Sequence, residues 1–166
     1  MIVVSDTTPI ISLLKAGQLE VLRKLYATVL IPTAVYRELT ENTKYIKEAE
    51  EIKAAGFLKM VTVKNMKSVN VLRSVTGLDE GESEALIMYD EQKADVLLMD
   101  ERKGRSVAKQ LKVRHIGTAG ILMLAYDKEL IRAEEVKRCL DEMILNEIRL
   151  DEKIYNIVME HIELNI

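Results

Sequence analysis

The chain has 166 residues, 48% apolar and 31% charged, with Gly 7 and Pro 2, a composition that excludes collagen-like, Pro-rich and linker proteins. No apolar run approaches the ~20 residues that cross a bilayer. The start Met1–Asp6 lacks a basic, apolar leader, and the lone Cys139 offers neither an internal disulfide nor a thiolate cluster, so a cytoplasmic protein without membrane contact is expected. A net charge of −3 argues against bulk electrostatic binding of nucleic acid, but the charge is uneven: residues 102–114 hold six basic groups and no acid, and residues 128–166 hold 6 Lys/Arg against 10 Asp/Glu.

Along the chain, short β-branched runs alternate with helical patterns. Ile2–Val4 is the first strand. Thr8 as N-cap with Pro9 at the first helical position opens a helix that Gly17 closes. A helix over 19–25 precedes a strand at 28–31, and Pro32-Thr33 opens a helix to Glu41 with Val35 and Leu39 on its buried stripe. A charged helix to Ala55 ends at Gly56, and a strand follows over 58–63. Residues 64–78 predict a loop with one helical turn; 81–92 predicts a helix, with Asp79 and Glu82 as a capping box. Val96–Met99 is apolar throughout, as a strand buried on both faces would be. Then come a helix over 102–111, a strand at 113–116, and helices over 118–126, 133–145 and 151–162. Strands separated by helices predict an α/β fold with a parallel sheet covered on both faces. The expected division is a core domain over 1–127 and an acidic helical extension over 128–166, packed on that domain or at an oligomer interface.

Parallel sheets bind ligands beyond the carboxyl ends of their strands. Two strands end there in an acid: Ser5-Asp6 and Met99-Asp100. Glu38 lies between Val35 and Leu39 and is expected to lean toward the buried stripe; Glu82 precedes Ala85, Leu86 and Tyr89 at helical spacing. Four carboxylates from four elements, meeting at one sheet edge, cannot all stay ionised without counter-charge. Hard divalent cations, Mg²⁺ or Mn²⁺, supply it, and one or two such ions activate water for attack on a phosphodiester. The basic run just past Asp100 suits the phosphates of a short single strand better than a long duplex. Other phosphate enzymes fit less well: Thr8 stands where a haloacid-dehalogenase-like phosphatase wants a second Asp, a receiver domain's acidic pair is missing at Ser5-Asp6, and there is no GxGxxG or Walker loop. His115, His161 and Cys139 read as packing or surface residues.

These residues resemble a PIN domain in motif order over about residues 1–127: Ile2–Pro9 for the first strand and its Asp-Thr, Pro32–Leu39 for the second-acid helix, Gly81–Ala85 for the third, and Leu97–Arg105 for the fourth acid and its loop. Gly117–Leu122 is similar to a stretch in a branch of archaeal and bacterial PIN-like proteins. The resemblance implies a Rossmann-like three-layer α/β/α sandwich around a sheet of about five strands, and a Mg²⁺/Mn²⁺-dependent nuclease for single-stranded RNA. It also implies VapC-type toxins held by an antitoxin protein, and homo-dimers or higher oligomers. Two features depart from the pattern: the third acid is Glu, either Glu82 or Glu84, where many members have Asp, and a helical tail is added. The expectation is therefore a metal-dependent endoribonuclease, with a catalytically inactive scaffold as the alternative. Asp6, Glu38, Glu82 and Asp100 are the expected metal ligands. Glu84 and Glu101 stand in support, Thr7 or Thr118 would orient a bound water or phosphate oxygen, and Arg102, Lys103 and Arg105 would contact RNA phosphates.

Overall fold

In the computed structural model, which describes residues 1–42, 44–148 and 150–163, the chain alternates strands and helices. The first half runs β1 (Val3–Ser5), α1 (Thr7–Lys15), α2 (Glu20–Tyr26), β2 (Val29–Pro32), α3 (Thr33–Thr40), α4 (Ile46–Ala54), β3 (Leu58–Val61) and α5 (Met66–Thr76). The second half runs α6 (Glu80–Glu91), β4 (Val96–Leu98), α7 (Arg102–Gln110), β5 (His115–Ile116), α8 (Thr118–Asp127), α9 (Ala133–Leu145) and α10 (Glu152–Glu163). No helix among the described residues is long and apolar enough to cross a membrane.

The strands form one parallel sheet in the order β3-β2-β1-β4-β5, the centre of a Rossmann-like three-layer sandwich. Side-chain alternation divides the core in two. Val3, Val96 and Leu98 join an apolar cluster on one face, and Val4, Leu97 and Met99 join another on the opposite face. This explains why β1 and β4 read as unbroken apolar runs: both of their faces are covered. After β1 the chain builds β2 and β3 to one side and returns to place β4 on the other. The gap between the carboxyl ends of β1 and β4 is thus the topological switch point, where an open α/β sheet leaves a crevice.

Helices beyond residue 127 contribute to the first cluster. Val136, Cys139, Leu140, Met143, Val158 and Ile162 are buried in it together with Val3 and Ile10. Replacing Leu140 by Ala should therefore lower the stability of the entire chain by about 2–5 kcal/mol in a single cooperative transition. Chemical denaturation followed by far-UV circular dichroism checks this, and a separate early transition for the tail would contradict it.

Two local expectations are corrected. Asp6, not Thr8, is the N-cap of α1, and Pro9 is its third helical residue. Pro is tolerated there because the first-turn N–H groups have no intrahelical acceptor. Residues 64–78, expected to be a loop, hold the full-length helix α5. Only Val69 of this helix is buried, while Val71 and Val75 face solvent, so no apolar stripe marked it. Its signals were terminal: Asn65 accepts from Ser68 N–H at 3.0 Å, and Gly77 ends the helix in the left-handed conformation.

Candidate functional site

β1 delivers Asp6 in extended conformation (φ −77°, ψ 174°), with its N–H donating to the Leu98 carbonyl at 3.0 Å, so strand pairing fixes its place at the switch point. The residue is 3% exposed. Burial pushes its carboxyl up to about 8; the Thr7 backbone N–H opposes this, and the charges of Asp79, Glu82 and Glu38 push the same way as burial. The three charges that press hardest on it are thus carboxylates.

α3 supplies Glu38. Its buried side is Ala34, Val35 and Leu39, and Glu38 lies beside that stripe at the exposed rim of the crevice instead of within it, as the spacing had suggested. Its carboxylate accepts from the Thr7 hydroxyl and reaches the first turn of α6, where a Cβ on Gly81 would lie 2.8 Å from Glu38 Oε1. Partial burial raises its pKa against that hydrogen bond, with Asp79, Glu80 and Glu84 adding to the rise.

α6 supplies Glu82 through its cap. Asp79 accepts from Glu82 N–H at 2.7 Å, and Asp79 N–H donates back to Glu82 Oε2 at 3.1 Å. Glu82 is 6% exposed, and burial holds its carboxyl above the usual range, with Asp79 and Glu101 adding to this and Lys103 opposing it. Sequence reasoning had spent Asp79 on capping alone; its charge in fact falls on Asp6, Glu38 and Glu82 together. The one signal available was the density of acids over 79–84, more than a cap requires.

Glu82 and Glu84 turn in different directions. Glu84, 4% exposed, turns to α3 and accepts from Ala34 N–H at 2.9 Å, capping that helix from outside. Glu84→Ala would leave a buried N–H without an acceptor and should cost about 1–3 kcal/mol, a melting-temperature drop of several degrees. Differential scanning calorimetry reads this, and the acidic crevice should stay intact.

Asp100 leaves β4 at the same edge, next to Asp6, and both its carboxylate oxygens are held by Thr118. Oδ1 accepts from Thr118 N–H at 2.7 Å and Oδ2 from the Thr118 hydroxyl at 2.6 Å, at the N-terminus of α8. Burial raises its pKa, while Thr118 and then Arg105 oppose the rise. A Cβ on Gly117 would lie 2.7 Å from Asp100 Oδ1 and 3.1 Å from an Arg105 guanidinium nitrogen, so a larger residue there would displace the Asp100 carboxylate from its place on Thr118. A Cβ on Gly104 would likewise lie 2.8 Å from Glu82 Oε1. The crevice therefore gathers Asp6, Glu38, Glu82 and the unforeseen Asp79, with Asp100 beside them. Among the described residues these positions do not close into a ligand set for a metal ion. The donor chemistry nonetheless suits a hard divalent cation: oxygen ligands only, and a buried carboxylate pressed by the charges of three others.

The remaining expected site residues divide. Thr7 and Thr118 spend their hydroxyl protons on Glu38 and Asp100. Glu101 stands exposed at the N-cap position of α7 and makes no side-chain capping hydrogen bond. Lys103 donates to the Gly77 carbonyl at 2.7 Å and so ties α7 to the α5–α6 turn. Arg102 and Arg105 line a groove with Asp100 and Glu101. Cys139 is buried, its thiol pushed up to about 11 by that burial, His115 Nδ1 meets the Val113 carbonyl at 2.9 Å, and His161 pairs with Asp127.

The family model DUF3368, PIN domain, matches residues 2–164, including the helical tail. No curated protein and no solved structure gives a significant match.

Proposed function

The chain belongs to the PIN-domain family, whose members are in general nucleases, and on that premise we propose that it is a metal-dependent endoribonuclease acting on single-stranded RNA. The observation that carries this reading is Asp6: a buried carboxylate crowded by Asp79, Glu82 and Glu38. Burying a carboxyl among its own kind costs stability unless it is neutralised or bound to a cation. Asp6, Glu38, Glu82 and Asp100 would hold one or two Mg²⁺ or Mn²⁺ ions. Such an ion, once bound, lowers the pKa of water and screens the phosphate's negative charge.

The chain's own groups do the positioning. Thr7 fixes the Glu38 carboxylate and Thr118 fixes Asp100 by two hydrogen bonds, so neither has to be ordered when substrate arrives. The capping box holds Glu82 against the start of α6. Arg102 and Arg105 reach the flanking phosphates of the strand, and Lys103 keeps the α5–α6 turn in place. In a toxin–antitoxin setting the partner is an antitoxin protein, and the active form is a homo-dimer or higher oligomer.

The test is cleavage of an end-labelled single-stranded RNA with Mn²⁺, with and without chelator, by the wild type and by Asp100→Asn. Metal-dependent cutting that Asp100→Asn loses supports the reading. Equal cutting by the variant removes it. A scaffold that has lost catalysis predicts no cutting and no metal-induced rise in melting temperature.

A further inference from the structure

A groove is lined by Thr8, two residues past Asp6, by Asp100, and by residues of the tail helices. Arg102 and Arg105 line it, together with apolar side chains that only the C-terminal half supplies: Met123 of α8, Met143 of α9, and Ile154 and Ile157 of α10. Ile154 and Ile157 are 38% and 43% exposed, one helical turn apart on the same face. They lie in a helix that otherwise buries Val158 and Ile162 in the core. The core does not need these two isoleucines; they wall the groove.

The ligand that suits such a surface has an anionic end and a flat apolar body. A bound phosphate alone would have no use for the isoleucines. We propose that the groove seats one unstacked base of the RNA strand, the base adjoining the phosphate held at Arg102 and Arg105, with the tail helices forming its subsite. This rests on the nuclease reading and extends it to substrate selection. Single strands are recognised by splaying bases onto side-chain platforms. No Phe or Tyr lines this groove among the described residues, so beside the His115 imidazole the platform is aliphatic and thioether, and methionine sulfur packs well against aromatic rings. Glu147 and Asp151 also line the groove and repel phosphate, which keeps the backbone at the arginine end and leaves the inner space to the base. The continuity of the groove with Asp100 favours a segment of the substrate over a separate peptide.

The test is a cycle of binding measurements by fluorescence anisotropy, using a labelled single-stranded oligoribonucleotide with Mn²⁺ and catalytically disabled Asp100→Asn protein. A single abasic nucleotide is moved along the strand, and each strand is measured against that protein with and without Ile154→Ser and Ile157→Ser. At one abasic position, affinity should fall about tenfold, and the serine changes should produce the same fall on the intact strand without adding to it. Leu at both positions should restore binding. Both side chains are partly exposed, so the serine variant should keep its circular dichroism spectrum. Independent, additive effects would overturn the proposal. So would RNA binding untouched by the serines, the result expected if the groove docks a protein instead. In both cases metal-dependent cleavage by the otherwise wild-type chain would survive, whereas failure of the nuclease reading would show as no metal-dependent cleavage by the wild type, whether or not RNA binds.

Discussion

Asp6→Asn should abolish metal-dependent RNA cleavage and, at pH 9 in chelator, raise the melting temperature of the protein. The two effects have one cause. Asp6 is 3% exposed, and burial with the charges of Asp79, Glu82 and Glu38 disfavours its ionised form, which a cation beside it would stabilise. Asparagine keeps the shape and removes the charge. It also removes no helix cap, because the Asp6 side chain makes no capping hydrogen bond to α1. The loss in rate should exceed the about 10–100-fold that follows removal of a partner outside the ligand set of a metal. The gain in stability should grow as pH rises above the ordinary Asp value of about 4 and reach its full size above about 8, where the folded wild-type carboxyl is ionised. Cleavage assays and thermal melts at pH 6 and pH 9 check both halves. A variant that cuts normally, or one that melts lower than wild type at pH 9, contradicts the account of Asp6.

How far the sequence reaches is visible at particular residues. Asp6 and Asp100 could be found because each follows a strand too apolar to lie at a surface, and parallel pairing then puts both at one edge; Val3, Val4 and Ser5 indeed pair with Val96, Leu97 and Leu98. Glu38 was reachable by spacing, but spacing sets only an angle around α3. Its long side chain lies at the rim, and the Thr7 hydroxyl that holds it comes from a different helix. Local logic hid Asp79: a complete capping box explained it, and the box and the acidic crevice turn out to use the same side chain. The directions of Glu82 and Glu84 could not be told apart from sequence, because the Ala34 N–H that holds Glu84 is 50 positions away. Basic residues past Asp100 were legible as a run, yet only tertiary contact sends Lys103 to a carbonyl and Arg105 to Asp100. The groove was beyond reach altogether, since it exists only once α8, α9 and α10 fold back beside β5.

That shared logic also fixes the pH behaviour. An Asp with a folded pKa of about 8 and an ordinary unfolded value holds a proton in the folded chain that it loses in the unfolded one over the window between them. The folded state then binds more protons, so stability of the cation-free protein falls as pH rises from about 4 to about 8, by at most about 1.4 kcal/mol per pH unit for this group. Glu38, Glu82 and Asp100, also raised by burial, act in the same direction. Glu135, held low by the Arg132 backbone N–H, and Asp141, held low by Lys137, act oppositely, as pH falls into the acid range. Mn²⁺ should reverse the trend, because it binds the ionised carboxylates and must displace protons. At pH 7, about one unit below the Asp6 value, that side chain is mostly protonated, so metal binding should release about one proton from it. Titration calorimetry in buffers of different ionisation enthalpy measures the release, and the Asp6→Asn protein should release fewer protons. Metal binding at pH 7 with no proton release would mean that Asp6 is already ionised and that its acidic neighbours do not govern it.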